Sequence, residues 1–344
     1  MEKKIGPLLT KYIIILLAIA VFSLNVGRYH VTMIDIANIL LNKVGLVSWN
    51  IEASVEKEVV FWNIRVTRVI LASCVGCALS VSGAVLQSLF RNPLASPDII
   101  GVTQGASFGA ALALMFLPPV TAVVQGTSFV FGFIAVMISF FLAGKVRDNG
   151  IAALVLIGII LSSLFQAGLS LLIYLSDPYD QMQKIMYWIM GSLQVASWKT
   201  VTSSVPVIIA GTIFFVLFSW RLNIMSQSDE EAVSLGVNIV KWRYLYIFVM
   251  TAVVSASVSV CGNISWIGLI VPHIARLMVG PEHKKLIPVT AVLGAIFLLF
   301  IDTIVRSITA GELPISIVTS LIGAPFLGYL VLGRKKEGGG WQYK

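Results

Sequence analysis

The chain alternates between long apolar runs and short polar segments, and the runs have the length of membrane-spanning helices. A helix needs about 20 apolar residues to cross a bilayer. Ten runs are near this length, at residues 10–27, 64–90, 97–117, 122–143, 151–175, 200–219, 242–261, 265–279, 286–307 and 315–333. The pattern predicts an all-α, polytopic membrane protein with about ten transmembrane helices, in which residues 1–344 form a single transmembrane domain.

The polar break between the second and third runs, RNPLASPDIIG (91–101), carries signals that stop one helix and start another. Pro93 cannot continue the second span. Ser96 is a favourable N-cap, Pro97 suits the first helical position, and Asp98 complements the positive end of a helix. We therefore expect a capped turn on the cytoplasmic side.

Composition and charge agree with a membrane protein. Hydrophobic residues make up 58% of the chain and charged residues 12%, whereas a soluble domain has about 25% charged residues. The net charge of +8 comes from Lys and Arg residues that stand between the apolar runs. This is the distribution of the positive-inside rule rather than the patch of a nucleic-acid-binding protein. It predicts a multi-pass protein of the cell (inner) membrane with both termini in the cytoplasm.

Small residues recur every four positions in two of the spans, which lets helix backbones approach closely in lipid. They are Gly76, Ser80 and Ala84 in the second span, and Gly101, Gly105 and Gly109 in the third.

Acidic residues are rare within the spans. Asp302 lies in the ninth span, four residues before Arg306, and this spacing predicts an ion pair on one helix face. We expect no carboxylate near the membrane midplane, where ion-coupled carriers place their ligating groups. A self-sufficient secondary carrier is therefore the weaker alternative.

Motifs for catalysis are absent from the sequence. It has no P-loop, and its three histidines are scattered. Cys74 and Cys77 form C-x-x-C inside an apolar run without further ligands, and we interpret them as packing residues. We therefore predict that the chain is not an enzyme, has no cofactor or metal, and receives its transport energy from another subunit.

The connection at about 222–241 contains DEEAVSLGVNI (229–239), which has the pattern of a short acidic helix. Ser228 suits its N-cap and Gly236 can end it. The alternatives at this point are a solvated loop helix and a contact surface for a partner.

Several segments together resemble the iron-siderophore, haem and cobalamin permease family (FecCD type) of ATP-binding-cassette importers, in the same order along the chain. They are ALSVSGAVLQSLFRNPLASPDIIGVTQGASFGA (78–110), WIMGSL (188–193), LGV (235–237), GLIVPHIARLMVGPEHKKLIP (268–288) and ELPISIVTSLIGAPFLGYL (312–330).

The resemblance implies a cobalamin-permease-like importer fold and a set of partners. These are a second permease subunit, identical or not, two ATPase subunits that hydrolyse ATP, and an extracytoplasmic substrate-binding protein. It also implies that the segment 222–241 couples to the ATPase. The predicted coupling residues are Asp229, Glu230, Glu231, Ala232, Leu235, Gly236 and Val237.

The resemblance further implies that arginines at the outer face meet acidic residues of the binding protein. The family often has R-L-P-R at the start of its second span, and this chain has RVTR (65–68). Arg65, Arg68 and Arg306 are therefore the predicted docking residues. The alternative is that these arginines extend to the membrane interface without a partner.

The translocation path is expected to have polar but uncharged walls. Ser163, Gln166 and Ser170 lie on one face of the fifth span, and Thr103 and Ser107 lie on the third. These residues could equally bond neighbouring helices. The expected ligand is a ferric siderophore or related iron chelate, with haem and cobalamin as alternatives. Residues 28–63 lie outside the resemblance and are expected to form an exterior loop or helix.

Overall fold

In the described ranges of the computed structural model the chain is helical and contains no strand. The described residues are 5–27, 29–44, 54–118, 120–146, 151–227, 229–308 and 311–335. Ser228, the predicted N-cap, lies outside them.

Fifteen α-helices follow one another in these ranges. They are α1 (Ile5–Asn25), α2 (Met33–Val44), α3 (Val55–Val59), α4 (Thr67–Leu89), α5 (Val102–Phe116), α6 (Thr121–Ala143), α7 (Ile151–Leu175), α8 (Gln181–Ile189), α9 (Trp198–Leu217), α10 (Ser219–Met225), α11 (Asp229–Ser234), α12 (Ile239–Cys261), α13 (Ile267–Val279), α14 (His283–Ile308) and α15 (Ile315–Lys335).

The helices confirm the predicted fold class. Seven helical segments in the described part of the chain are long and apolar enough to cross a membrane. The third, eighth and tenth predicted spans correspond to the shorter apolar helices Val102–Phe116, Ile267–Val279 and Ile315–Tyr329. Each of the ten predicted apolar runs therefore contains a helix.

Helix α4 forms the centre of the bundle. A π-helical segment, Val60–Val66, joins it to α3, so that Val55–Leu89 is one continuous helical stretch. It packs against α9, α12, α13 and α14. A Cβ atom on Gly76 would lie 2.2 Å from the Gly294 carbonyl oxygen, and one on Gly83 would lie 1.8 Å from that of Gly268. Small residues are required at these contacts because backbone meets backbone.

The small residues of the third span behave differently from one another. Gly105 and Gly109 pack closely on α6, where added Cβ atoms would lie 2.6 and 2.7 Å from Ala135 and the Thr127 carbonyl. Gly101 does not share this helical face. Gly101 has a left-handed φ of 90° and lies between a 3₁₀ turn, Pro97–Ile100, and α5. The predicted four-residue repeat therefore begins at Gly105.

Residues 29–44 and 54–66 build a small separate core beside α1. Val31 and Ile39 are buried against Phe61, and Lys57 forms an ion pair with Asp35 at 2.9 Å. The sequence offered no specific account of this segment beyond an exterior loop or helix.

The RNPLASPDIIG segment turns back into the bundle after α4 ends. Arg91 has a left-handed φ of 48° at the end of α4. Pro97, six residues later, is 3.5 Å from a Cβ built on Gly268, and the same Cβ is 3.0 Å from the Leu79 carbonyl. Leu79 lies about halfway between Arg68 and Leu89, roughly 15 Å from either.

This path corrects one expectation from the sequence. Asp98 lines a cavity together with Leu79, so a carboxylate does lie at mid-depth of the bundle. The capped turn was expected at the helix ends, but only its first half, around Arg91, lies there. Sequence spacing could not show how far the second half returns along α4.

Candidate functional site

Helix α11 presents an exposed surface of acidic and apolar side chains between α10 and α12. We call this the α11 surface; it consists of Glu230, Glu231, Val233, Leu235 and Gly236. Val233 is 63% exposed and Leu235 is 64% exposed. Exposed apolar groups next to carboxylates are typical of a contact surface for another protein.

The predicted coupling residues separate into three groups. Glu230, Glu231, Leu235 and Gly236 are exposed, whereas Ala232 and Val237 are buried and anchor α11 to the bundle. The third group is Asp229, which forms ion pairs. Val233 belongs to the exposed group but was missed, because a valine in a short helix carries no distinguishing signal in the sequence.

Gly236 ends α11 in the left-handed conformation, with φ at 75°. Its N–H donates to the Val233 carbonyl at 2.9 Å, and the Val237 N–H donates to the Ala232 carbonyl at 3.2 Å. These bonds satisfy carbonyls that a helix end leaves open. The predicted helix end is confirmed.

Asp229 connects α11 to two other parts of the bundle. Its carboxylate accepts hydrogen bonds from the guanidinium groups of Arg91, at the end of α4, and Arg243, in α12. Burial acts to raise the pKa of Asp229, but Arg243 and Arg91 outweigh it, so the pKa lies below its ordinary value. The ion pair between Arg91 and Asp229 joins the RNPLASPDIIG segment to α11.

A cavity of about 450 Å³ lies beside this ion cluster. Its polar lining comes from α4, α10, α13 and the start of α14, and includes Ser88, Arg91, Asn223, Arg276 and His283. The cavity was not predictable from the sequence, because its lining residues are distant from one another in the chain.

The opposite end of the bundle contains a buried ion cluster. Arg68 donates to Asp302 from Nη2 at 2.8 Å and from Nε at 3.0 Å. It also donates to Glu312 from Nη1 and Nη2, both at 2.9 Å. Arg68 is 5% exposed and Asp302 is fully buried. The cluster joins α4, α14 and the segment before α15.

The other two predicted docking arginines are also buried. Arg65 donates to the carbonyl oxygens of Leu24 at 2.6 Å and Asn25 at 3.0 Å. Arg306 donates to Ser23 Oγ at 2.7 Å and lies 4.0 Å from Asp302, which confirms the predicted pair at the limit of ion-pair distance. All three arginines thus have intramolecular partners, and their docking role stays a prediction.

The predicted path residues occupy two different environments. Ser163, Gln166 and Ser170 are exposed along one face of α7. Thr103 and Ser107, each 2% exposed, are buried within the bundle, and Thr103 donates a hydrogen bond to Asp98. The structure does not bring the two groups onto one surface of the chain.

Near the Arg68 end, α8 borders an open cavity of about 440 Å³. Aromatic side chains line it, among them Tyr179, Tyr187 and Trp188. Tyr179 is 89% exposed and Tyr187 is 66% exposed. The cavity places aromatic groups at the end of the bundle opposite the α11 surface.

Comparison with known proteins identifies transport proteins of similar sequence and fold. The model of the FecCD transport family matches residues 15–333. A solved structure described as an inward-facing conformation of a metal-chelate type ABC transporter is 36% identical and superposes with a TM-score of 0.85, covering 95% of this chain and 99% of that one.

Curated relatives cover nearly the whole chain. The molybdate import system permease protein MolB of Haemophilus influenzae is 40% identical over 326 residues, which are 94% of this chain and 95% of the relative. The hemin transport system permease protein HmuU of Yersinia pestis is 34% identical over 347 residues, covering 99% and 100%.

Proposed function

The chain belongs to the FecCD transport family, the transmembrane permease components of ATP-binding-cassette importers, and from this premise we propose how its two ends work. The α11 surface contacts an ATPase subunit in the cytoplasm, and the Arg68 end receives a substrate-binding protein on the other side of the membrane. A second permease subunit completes the path.

The exposure of the α11 surface carries the proposal. Val233 and Leu235 are apolar, lie more than 60% exposed, and stand on a helix whose other side is anchored by Ala232 and Val237. Together with Glu230 and Glu231 they offer a partner an apolar contact with acidic groups beside it. ATP binding closes the two ATPase subunits, and the movement reaches the permease through this contact.

The Asp229 ion cluster supplies a route for that movement. Asp229 moves with α11, and Arg91 is attached to the segment that re-enters the bundle. A displacement of α11 therefore pulls on the connection between α4 and α5. Gates on opposite sides then open in alternation, because the partner shifts the balance between two conformations.

At the other end, we propose that docking of the binding protein depends on Arg65, Arg68 and Arg306. All three arginines are buried in the bundle, so they act from inside it. They hold the ends of α1, α4 and α14 in place, and Glu312, whose side chain is 20% exposed, is the cluster's accessible member. An acidic group of the binding protein would compete with Glu312 for Arg68, so docking would loosen the segment before α15.

The ligand we propose is a ferric siderophore or related iron chelate. Ser163, Gln166 and Ser170 form an uncharged polar stripe on α7, which suits a bulky ligand that must pass without binding tightly. Thr103 and Ser107 are buried. We propose that they lie behind the path wall and affect the passage of the ligand indirectly. Relatives named for hemin and cobalamin transport keep those two ligands as alternatives.

Molybdate is a second candidate ligand, favoured by one observation. The relative named for molybdate import is 40% identical over 94% of this chain. A small oxyanion and a large chelate would both pass an uncharged wall, so the binding protein must supply the selectivity. Uptake of ⁵⁵Fe-loaded siderophore and of ⁹⁹Mo-molybdate into vesicles containing the complete importer distinguishes the two.

The coupling proposal is tested by Gly236→Trp in the reconstituted importer. The bulky side chain at an exposed left-handed position disturbs the α11 surface, while no atom lies within 4 Å of a Cβ there. We expect normal membrane insertion and at least a ten-fold loss of ATP-driven uptake. Gly126→Trp is the matched control, because a Cβ at Gly126 also has no neighbour within 4 Å.

Gly236→Asn should retain most uptake, because asparagine tolerates the left-handed conformation. Unchanged ATP-driven uptake in Gly236→Trp would exclude α11 as the coupling element. Uptake driven by an ion gradient alone, with no effect of ATP, would exclude the importer and support a secondary carrier.

A further inference from the structure

Asp98 occupies an unusual position for an acidic residue in a membrane protein. It lines a cavity of about 310 Å³ between α4, α5, α12 and α13, at the level of Leu79. This level is roughly 15 Å from either end of α4. Ionisable groups at such depth are costly and tend to mark ion or substrate sites.

The carboxylate has no cationic partner among the described residues. Thr103 Oγ1 donates a hydrogen bond to Asp98 Oδ1, and no Lys or Arg lies within ion-pair distance of it in the part of the chain that the structure describes. Arg91, the cation nearest in sequence, is bound to Asp229 instead. In such a cavity a carboxyl group either carries a proton or has its negative charge balanced by a cation.

The remaining polar groups around the cavity are oxygen ligands. The hydroxyl groups of Ser96, Thr103 and Ser265 and the side-chain amide of Asn263 line it, and none of its described lining residues is a His or a Cys. Hard cations prefer such all-oxygen surroundings. One carboxylate among neutral oxygens balances one positive charge, which favours a monovalent cation over a divalent one.

Two connections between helices meet at this cavity. The 3₁₀ turn Pro97–Ile100 and Gly101 precede α5, and residues 262–266 separate α12 from α13. Trp266, at the start of α13, has a left-handed φ of 74°. Carbonyl groups of non-helical backbone that follows the C-terminal end of a helix, as residues 262–266 follow α12, are among the groups with which membrane transporters coordinate Na⁺.

We propose that this cavity binds one monovalent alkali cation, with Asp98 as its charged ligand and Thr103 as a neutral one. The bound cation joins the start of α5 to the loop before α13 and stabilises the re-entrant segment. It is a structural and regulatory site within the permease. The proposal does not depend on which ligand the importer carries.

The test measures Na⁺ binding to the purified full-length chain in detergent. Thermal unfolding is followed in NaCl and in N-methylglucamine chloride at equal ionic strength, and ²²Na⁺ binding is measured by equilibrium dialysis. We expect Na⁺ to raise the melting temperature saturably by about 2–4 °C, with one ²²Na⁺ bound per chain. Asp98→Asn should lose both effects, whereas Asp180→Asn, which changes an exposed carboxylate, should retain them.

Thr103→Val provides a second variant in case Asp98→Asn does not fold. Removing one neutral ligand should weaken Na⁺ binding about ten-fold without abolishing it. Equal melting temperatures in the two salts would overturn the proposal, as would Na⁺ binding that persists in Asp98→Asn. A wild-type melting temperature that depends on pH but not on Na⁺ would show that Asp98 holds only a proton, and would overturn it as well.

Discussion

The two ends of the bundle each contain a cluster of charged side chains, but the central carboxylates of the two clusters lie in opposite environments. Arg68, Asp302 and Glu312 form the first, in which the arginine and aspartate side chains are 6% and 1% exposed. Arg91, Asp229 and Arg243 form the second, in which the Asp229 side chain is 54% exposed. Burial decides what each cluster can do.

A buried cluster fixes geometry, because removing one member leaves a charge without compensation in a medium of low dielectric constant. An exposed cluster is weak and reversible, since water replaces the lost partner. The Arg68 end is thus suited to hold three helices in one arrangement. The α11 end is suited to a connection that must move and re-form during each transport cycle.

Asp302→Ala should have the largest effect. It removes the carboxylate that lies next to the buried Arg306 and leaves Arg68 with Glu312 as its ion-pair partner, and we expect a loss of about 3–5 kcal/mol in the free energy of unfolding. Thermal unfolding in detergent measures it. Asp180→Ala, which removes the exposed pair with Lys184, should cost less than about 1 kcal/mol. Similar losses in the two variants would contradict the distinction between the clusters.

Asp229→Ala should change stability by less than about 1 kcal/mol, because the Asp229 side chain is 54% exposed and water can reach its ion pairs. ATP-driven uptake should nevertheless fall several-fold, since α11 loses its connection to Arg91. Asp229→Glu, which keeps the charge, should restore most of the uptake. If Asp229→Ala transports at the wild-type rate, the ion cluster plays no part in coupling.

The smallest expected effect is a loss of α11 stability at low pH. The pKa of Asp229 is lowered in the folded protein, so its pairing contributes stability above the ordinary Asp pKa. This contribution is lost as the pH falls through the lowered value. Hydrogen exchange of the α11 amides, corrected for intrinsic rates, should show less protection at about pH 3 than at about pH 5.

Asp229→Asn provides the control for this measurement. Its α11 protection should be low at both pH values, because its neutral side chain does not titrate. A wild-type protein whose α11 protection is the same at both values would show that the Asp229 pairs do not hold the helix.

Much of the fold was predictable from the sequence because local patterns determine it. Apolar run length predicted a helix in each of the ten runs, seven of which are long enough to span a membrane, and Gly236 predicted the end of α11. The spacing of Asp302 and Arg306 predicted their pair, although Arg68 proved the closer partner, at 2.8 Å rather than 4.0 Å. Arg68 and Asp302 are 234 residues apart, and no local spacing rule reports on such a distance.

The burial of the predicted docking arginines and the depth of Asp98 were not predictable for the same physical reason. Both depend on how far a segment returns along a helix that is distant in sequence. Arg65, for example, is placed by carbonyl groups near the end of α1. Residue type alone gives an arginine near a span end an exposed position, because that is where most arginines lie.

The central position of α4 has a consequence for how the chain is made. Ser80 donates to the carbonyl of Thr290, 210 residues later, and Gly83 closes on Gly268. During synthesis, α4 therefore enters the bilayer long before the helices that will surround it exist. Its glycine-lined grooves must stay open to lipid until the last third of the polypeptide arrives, so a prematurely terminated chain would be left without its central packing partners.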